Sequence, residues 1–252
     1  MDEADIIRAL IALHDGTARQ GPGDDAFSLE ILRRLPPLPA TGTVADLGCG
    51  TGSAALLLAR TLNRPVLCVD AAAAFLETLR ERARDAELEP LVMPLCADMG
   101  ALPDTCRLDL LWSEGAAYNL TFEGALRAWR PLMNPGGVAV ISELSLFDPR
   151  PPQPVLDFWS VAYPEIGDEP TNCARAGRQG FRVLFTERLP TAAWWNNYYG
   201  PLLDRMDRFR STPDPVMQQV IADMQTELDL FRVHSGSFGY TFYVLQAADI
   251  SA

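Results

Sequence analysis

An aspartate and three alternating glycines stand close together in Val44-Ala45-Asp46-Leu47-Gly48-Cys49-Gly50-Thr51-Gly52. Glycine at alternate positions lets a backbone turn sharply and approach a ligand closely, and a helix opening directly after the turn offers free N–H groups. The chemistry on offer is the binding of a nucleotide-like molecule. The spacing is G-x-G-x-G, not the G-x-G-x-x-G that frames a dinucleotide pyrophosphate. Asp46 would repel a pyrophosphate but favour a cationic group. Two further acids follow the same rhythm: Asp70 closes the next apolar run, 18 residues past Gly52, and Asp98 follows the one after. A carboxylate accepts from two donors at once, as a pair of neighbouring hydroxyls requires.

Other residues could meet a substrate. Ser113, Glu114, Tyr118 and Asn119 follow the apolar run Leu108 to Trp112, where a loop could have been bland. Glu114 could bond a cofactor ammonium, serve as a general base or anchor a cationic substrate; its plain alternative is a helix-capping acid or a surface charge. In Trp194-Trp195-Asn196-Asn197-Tyr198-Tyr199 the aromatics cannot all face one side of a helix, because neighbours point about 100° apart. Some must serve a second surface: the wall of a substrate pocket able to stack or make cation–π contact, a lid packed on the domain, or a homodimer contact.

Composition removes several classes. All 21 basic residues are arginine, so neither a P-loop lysine nor a lysine Schiff base is available. The net charge of −12 opposes a phosphate backbone, and nucleic acid is not expected as a partner. No uncharged apolar stretch approaches the roughly 20 residues that span a bilayer, and the N-terminus opens with acids, so neither membrane nor export is expected. His14 and His234 are the only histidines, too few for a multi-histidine metal site, and no metal is expected. His14 reads as a helix-surface residue and His234 as structural. Five cysteines, odd in number and without a C-x-x-C pair, suit a reducing cytoplasm.

These residues need elements to hold them. Short apolar runs alternate with amphipathic stretches from Thr43 to Leu146, the order that yields a parallel sheet with crossover helices. Strands are expected at Thr43–Leu47, Pro65–Val69, Leu91–Cys96, Leu108–Trp112, Val138–Ser142, Phe181–Leu189 and Ser237–Ala247. Pro94 marks the third as an edge or a bulge. Helices are expected at Phe27–Leu35, Ser53–Leu62, Ala72–Arg84, Phe122–Arg130, Val155–Val161, Ala192–Phe209 and Pro215–Val233. The expected fold is α/β: a Rossmann-like, doubly wound, mostly parallel seven-stranded sheet with helices on both faces. One domain is expected, with an N-terminal lid segment (1–38), a core (39–189 and 237–252) and a helical lid insertion (190–236), because extra segments of that length usually cover a site.

At this point the chain resembles the class I S-adenosylmethionine-dependent methyltransferases. Asp46 to Gly52 is similar to that family's glycine-rich first motif, including the acid ahead of it. S-adenosyl-L-methionine carries both an ammonium and a sulfonium, which suits Asp46. The resemblance implies that Gly48, Cys49, Gly50, Thr51 and Gly52 wrap the methionine part of the cofactor. It implies that Asp70 and Ala71 meet the ribose, that Asp98 faces the adenine amino group with Met99 beside the ring, and that Ser113 and Glu114 complete the cofactor site. The segments Arg19-Gln20-Gly21-Pro22-Gly23, Trp112 to Asn119 and Phe158 to Glu165 resemble a bacterial subgroup of small, poorly characterised methyltransferases; this implies that Gln20 and Gly21 form a lid edge over the cofactor. The implied activity is direct in-line methyl transfer to a small-molecule acceptor. If that acceptor needs a base, Glu114 or Tyr118 is the expected one, with Tyr118, Asn119, Trp194, Trp195, Tyr198 and Tyr199 as substrate contacts. The alternatives are a non-catalytic binder of S-adenosylmethionine or S-adenosylhomocysteine, and a nicotinamide-dependent oxidoreductase, against which Asp46 and the glycine spacing argue.

Overall fold

In a computed structural model that describes residues 2–248, the alternating pattern becomes one sheet. Met1, at the start of the expected lid segment, and residues 249–252, at the end of the expected core, lie outside the described residues. Two helices, α1 (Glu3–His14) and α2 (Asp25–Arg33), precede β1 (Val44–Leu47). The alternating part continues through α3 (Ser53–Leu62), β2 (Val66–Asp70), α4 (Ala73–Asp85), β3 (Val92–Cys96), β4 (Leu108–Ser113), α5 (Phe122–Trp129) and β5 (Met133–Leu146). Then come α6 (Gln153–Ala162), the two-residue β6 (Gly167–Asp168), α7 (Glu169–Arg178) and β7 (Phe181–Arg188). The chain finishes with α8 (Thr191–Trp194), α9 (Gly200–Phe209), α10 (Pro215–His234) and β8 (Phe238–Ala247).

The strand order is β3-β2-β1-β4-β5-β8-β7, the seven-strand path expected, with β6 added as a short parallel partner of β5. The first five strands of that order run parallel, and β8 is antiparallel to both β5 and β7. Pro94 sits in β3, the edge strand, where a missing ladder donor is tolerated. All four residues of β1 are buried, as a parallel strand covered on both faces must be. Along β5, Val138, Val140 and Leu144 join the apolar cluster on one face, and Ala139 and Ile141 the cluster on the other. This period of two makes the fold doubly wound.

Helix α7 was not expected. Its sequence EPTNCARAGR is polar, and its only buried residues are Asn172 and Ala176, so no apolar period announces it. The legible signal is at its start: Asp168 accepts from the Thr171 N–H at 2.8 Å, and Pro170 occupies the first turn. The single helix expected over Ala192–Phe209 is broken by a π turn at Trp195–Tyr199, closed by the Gly200 N–H donating to the Trp195 carbonyl. Gly200 is required there, since a Cβ would stand 2.9 Å from that carbonyl.

The two segments outside the alternating core meet each other. Helix α1 packs against α9 and α10. Arg205 donates to the carbonyls of Leu13 (3.0 Å) and Ala12 (2.7 Å) at the end of α1. The Asn197 amide donates to the Gly23 carbonyl at 2.8 Å and to Asp24 at 3.1 Å. Residues of both segments line one cavity with the carboxyl ends of β1 and β4.

Candidate active site

Strand order reverses between β1 and β4, with β2 on one side of β1 and β4 on the other, and open α/β sheets bind ligands at such a point. A cavity of about 1240 Å³ opens there, larger than the roughly 300–1000 Å³ of ordinary small-molecule sites. It has room for two ligands side by side.

The inner half is built by the loop after β1. Gly48 and Gly50 have φ values of 73° and 53°, and a Cβ on either would collide with Ala116 or Gln20. Glycine therefore lets the loop after β4 and the N-terminal segment close on this turn. Asp46, 1% exposed, lies beneath it, and its Oδ2 has no hydrogen-bond partner among the described residues. Burial first, then Glu114 and Asp70, push its carboxyl well above the usual range, with Arg19 pulling weakly the other way. A buried acid in this state fits a ligand with a positive group.

Asp70 accepts from the Gly50 N–H through Oδ2 and from the Ala72 N–H through Oδ1, both at 2.8 Å, and so pins the glycine turn to the end of β2. Asp98 accepts from the Gly100 N–H at 2.7 Å, and the Met99 carbonyl accepts from Trp129 Nε1 at 3.0 Å. Asp46, Asp70, Ala71, Asp98 and Met99 line the cavity with Gly48, Cys49 and Gly50, and Gln20, Gly21 and Glu114 close one side. Burial and the neighbouring Asp46 push the Cys49 thiol well up, which leaves it un-ionised rather than nucleophilic.

Three expected cofactor contacts stand behind the cavity wall. Thr51 is 1% exposed; its N–H donates to Gln20 Oε1 and its hydroxyl to the Ala18 carbonyl, each at 3.0 Å. Gly52 lies under Leu79 of α4. Ser113 is fully buried and donates to the Leu47 carbonyl at 2.8 Å, stapling β4 to β1. Each shapes the loop because strand or helix packing has turned it inward.

Glu114 is also corrected as a free base. Oε1 accepts from Ser28 Oγ at 2.6 Å and Trp112 Nε1 at 2.8 Å, while Oε2 accepts from Arg19 Nη1 at 2.8 Å. Both oxygens of this carboxylate are already engaged, one of them by a guanidinium. Its geometry is that of a clasp between β4, α2 and the N-terminal segment.

The outer half is aromatic. Tyr118, Asn119, Trp194 and Tyr198 line it, joined by Tyr240 of β8 and Glu227 of α10. Asn119 Nδ2 donates to the Ala116 carbonyl at 3.0 Å. Although Tyr118 is 41% exposed, desolvation first, then Glu227 and Glu143, raise its hydroxyl, which is a donor rather than a base. Trp195 and Tyr199 do not reach the cavity: the π turn sends Tyr199, fully buried, against Phe231 at 5.4 Å, with Trp195 5.4 Å from Tyr199. The rings that could have served a homodimer contact are mostly spent on packing the insertion. His14 is not a surface residue: it is buried, stacks on Tyr198 at 5.9 Å, and burial lowers its pKa so that the imidazole is neutral.

Sequence reasoning did not reach Arg19, Tyr240 or Glu227 as site residues. Glu227 had a signal, an acid within the apolar stripe Val220, Met224, Leu228 and Phe231 of an otherwise amphipathic helix. Tyr240 alternates with Phe238 and Phe242 like any core strand residue. Arg19 pairs across 95 positions with Glu114, a contact that no local pattern encodes.

Fold and pocket together define an open α/β protein whose cavity joins a glycine turn ringed by acids to a second, aromatic-walled compartment. Residues 44–137 match a family described as "Methyltransferase domain". That stretch is similar to a methyltransferase domain, and the chain as a whole has the class I methyltransferase fold. A dimethylglycine N-methyltransferase of Parasynechococcus marenigrum (strain WH8102) is 32% identical over 115 residues, a match covering 45% of this chain and 41% of that protein. An S-adenosylmethionine-dependent methyltransferase of Geobacter sulfurreducens, solved with S-adenosyl-L-homocysteine, superposes with a TM-score of 0.78 at 20% identity, covering 94% of this chain and 97% of that one. Its counterpart from Thiobacillus denitrificans, also with S-adenosyl-L-homocysteine, gives a TM-score of 0.79 at 19% identity over 95% and 98% of the two chains. No described helix is long and apolar enough to cross a membrane, and no cluster of metal-ligating residues forms among the described residues.

Proposed function

We propose that this chain is an S-adenosyl-L-methionine-dependent methyltransferase acting on a small-molecule acceptor. The observation that carries the reading is Asp46, a buried carboxyl with an unpartnered oxygen under the glycine turn. Leaving such an oxygen unpartnered costs about 1–3 kcal/mol even with the carboxyl protonated, and a cationic ligand seated above it would favour the ionised form and pair it. Asp46, the backbone of Gly48 to Gly50, Asp70, Asp98 and Met99 would hold the cofactor, and Gln20 and Gly21 would cover it. When bound, it supplies a methyl group on a positively charged sulfur.

The chain's own part is positioning and exclusion of water, which direct displacement chiefly needs. Segments 1–38 and 190–236 serve as one lid, supported by the Arg205 and Asn197 bonds that join them. Tyr118 and Asn119, on the loop after β4, stand between the two halves and contact the acceptor. Glu114 fastens the lid through Arg19. Five cysteines free of disulfides support a reducing, cytoplasmic setting. The relative named for dimethylglycine supports a small-molecule acceptor.

Calorimetric titration tests the reading. S-adenosylhomocysteine should bind, Asp70→Ala should weaken it at least tenfold, and NAD should give no heat. Tight binding of NAD, or no heat from the nucleoside, would overturn the reading; firm binding with no methylated product from any metabolite mixture would make the chain a binder only.

A further inference from the structure

We propose that the acceptor is an amine that binds as a cation and carries no carboxylate or phosphate, an inference resting on the reading that the cofactor fills the glycine-turn half of the cavity. The anchor is Glu227 of α10. Its Oε1 accepts from the Tyr199 hydroxyl at 2.8 Å, and no other hydrogen bond reaches the carboxylate among the described residues, although it faces the cavity. Tyr118, Tyr198, Tyr240 and Trp194 surround that space. The rings of Trp194 and Tyr240 lie 4.9 Å apart, and Glu227 is close enough to raise the hydroxyls of Tyr118, Tyr198 and Tyr240. Electron-rich ring faces beside one carboxylate with spare acceptor capacity are the recognition chemistry of an alkylammonium group.

The second half of the inference comes from what could pair with an anion. Arg19 is the one arginine on the cavity wall among the described residues, and both ends of its guanidinium are taken by Glu114 and Asp25. His14, the other candidate, is held neutral by burial. Against them stand Glu227, Asp157 and Asp223 on the outer wall and the three acids of the inner half. A carboxylate or phosphate on the acceptor would enter an acidic compartment with no free cationic partner, whereas an ammonium meets Glu227 and the rings.

The transfer balances on the same groups. An ammonium passes its proton to the free Glu227 oxygen and becomes an amine with a lone pair. The nitrogen lone pair forms the N–C bond as the C–S bond breaks, and that electron pair stays on sulfur. Sulfonium and amine thus become thioether and methylated ammonium.

Phenethylamine, phenylalanine and 2-phenylethanol share one ring and differ in charge, so titrating each into the protein saturated with S-adenosylhomocysteine is decisive. Phenethylamine should bind at least tenfold tighter than either of the others. Glu227→Gln, which keeps an acceptor for Tyr199, should abolish that preference while leaving S-adenosylhomocysteine affinity and melting temperature unchanged. Equal or tighter binding of phenylalanine or the alcohol, no binding of phenethylamine, or a preference that survives Glu227→Gln would overturn the inference while the cofactor reading stands. Absence of S-adenosylhomocysteine binding would overturn both.

Discussion

Glu143 offers the sharpest test of the electrostatics beneath the cavity. It lies in β5, paired with Thr241 of β8, and is 1% exposed with Oε2 unpartnered among the described residues. Burial pushes its carboxyl from 4.5 up to about 8, partly opposed by the Tyr163 hydroxyl and Arg175. The folded chain thus holds this proton more tightly than the unfolded chain. The stability this supplies is fully present below about pH 4.5, is lost as pH rises toward 8, and falls no further once the folded group ionises too. Between pH 5.5 and 8 the loss is about 3 kcal/mol, since each pH interval of one contributes about 1.4 kcal/mol while only the unfolded form is ionised. Glu143→Gln is neutral throughout and nearly isosteric, but its amide leaves a buried donor without a partner, a constant penalty of about 1–3 kcal/mol. The variant should therefore gain on the wild type as pH rises from 5.5 to 8.5, the difference in melting temperature moving by roughly 6–12 °C. Melting curves of both proteins across that range by circular dichroism decide the matter. A difference that does not change with pH would mean that Glu143 is already ionised in the folded chain, and the account of a neutral buried acid would be wrong.

Three other consequences are open to test. Arg19 and Glu114 have side chains 10% and 7% exposed, so Arg19→Gln should lower stability by about 2–3 kcal/mol, the loss of a buried pair lessened by the Ser28 and Trp112 donors that remain. Glu114→Gln should weaken cofactor binding and turnover to a similar extent, as expected of a clasp; turnover falling far more than affinity would restore Glu114 as a base. Asp46 pairs with a cation only when ionised, so S-adenosylmethionine affinity should rise with pH above the ordinary carboxylate range, and Asp46→Asn should flatten that rise. A calorimetric series from pH 5 to 7 checks this, and an affinity that falls over that interval in the wild type would contradict it.

Much of the sheet could be read in advance because each crossover unit repeats a local rule: an apolar run, a turn, an amphipathic stretch. The inner half of the cavity was legible for the same reason, since Asp46, Asp70 and Asp98 each terminate or follow a strand and carry their position with them. Legibility failed where a side chain's direction depends on distant packing. Thr51, Gly52 and Ser113 sit in the right loops but face inward, because Ala18, Leu79 and the Leu47 carbonyl claim them. The aromatic run shows the limit most clearly. A regular helix would have carried Trp194 and Tyr198 on one face and Trp195 and Tyr199 on the next, and that pairing survives. Which pair faces the cavity is settled by the π turn at Gly200 and by Phe231, 37 residues beyond Trp194.

The same distinction explains why the cofactor half reads more easily than the acceptor half. A nucleoside with a fixed shape is met by strand ends, whose spacing is set by hydrogen-bond registers such as Asp46 with Cys68 and Asp70 with Cys96. The outer half is walled by α10, β8, α1 and the segment of the π turn, four elements brought together only by tertiary packing. Their mutual arrangement depends on contacts such as Arg205 with the end of α1 and Tyr199 with Glu227, neither of which touches the inner half directly. Substitutions in the insertion can therefore reshape the outer half while Asp46, Asp70 and Asp98 keep their places, so on the proposed reading acceptor specificity and cofactor binding should be separable.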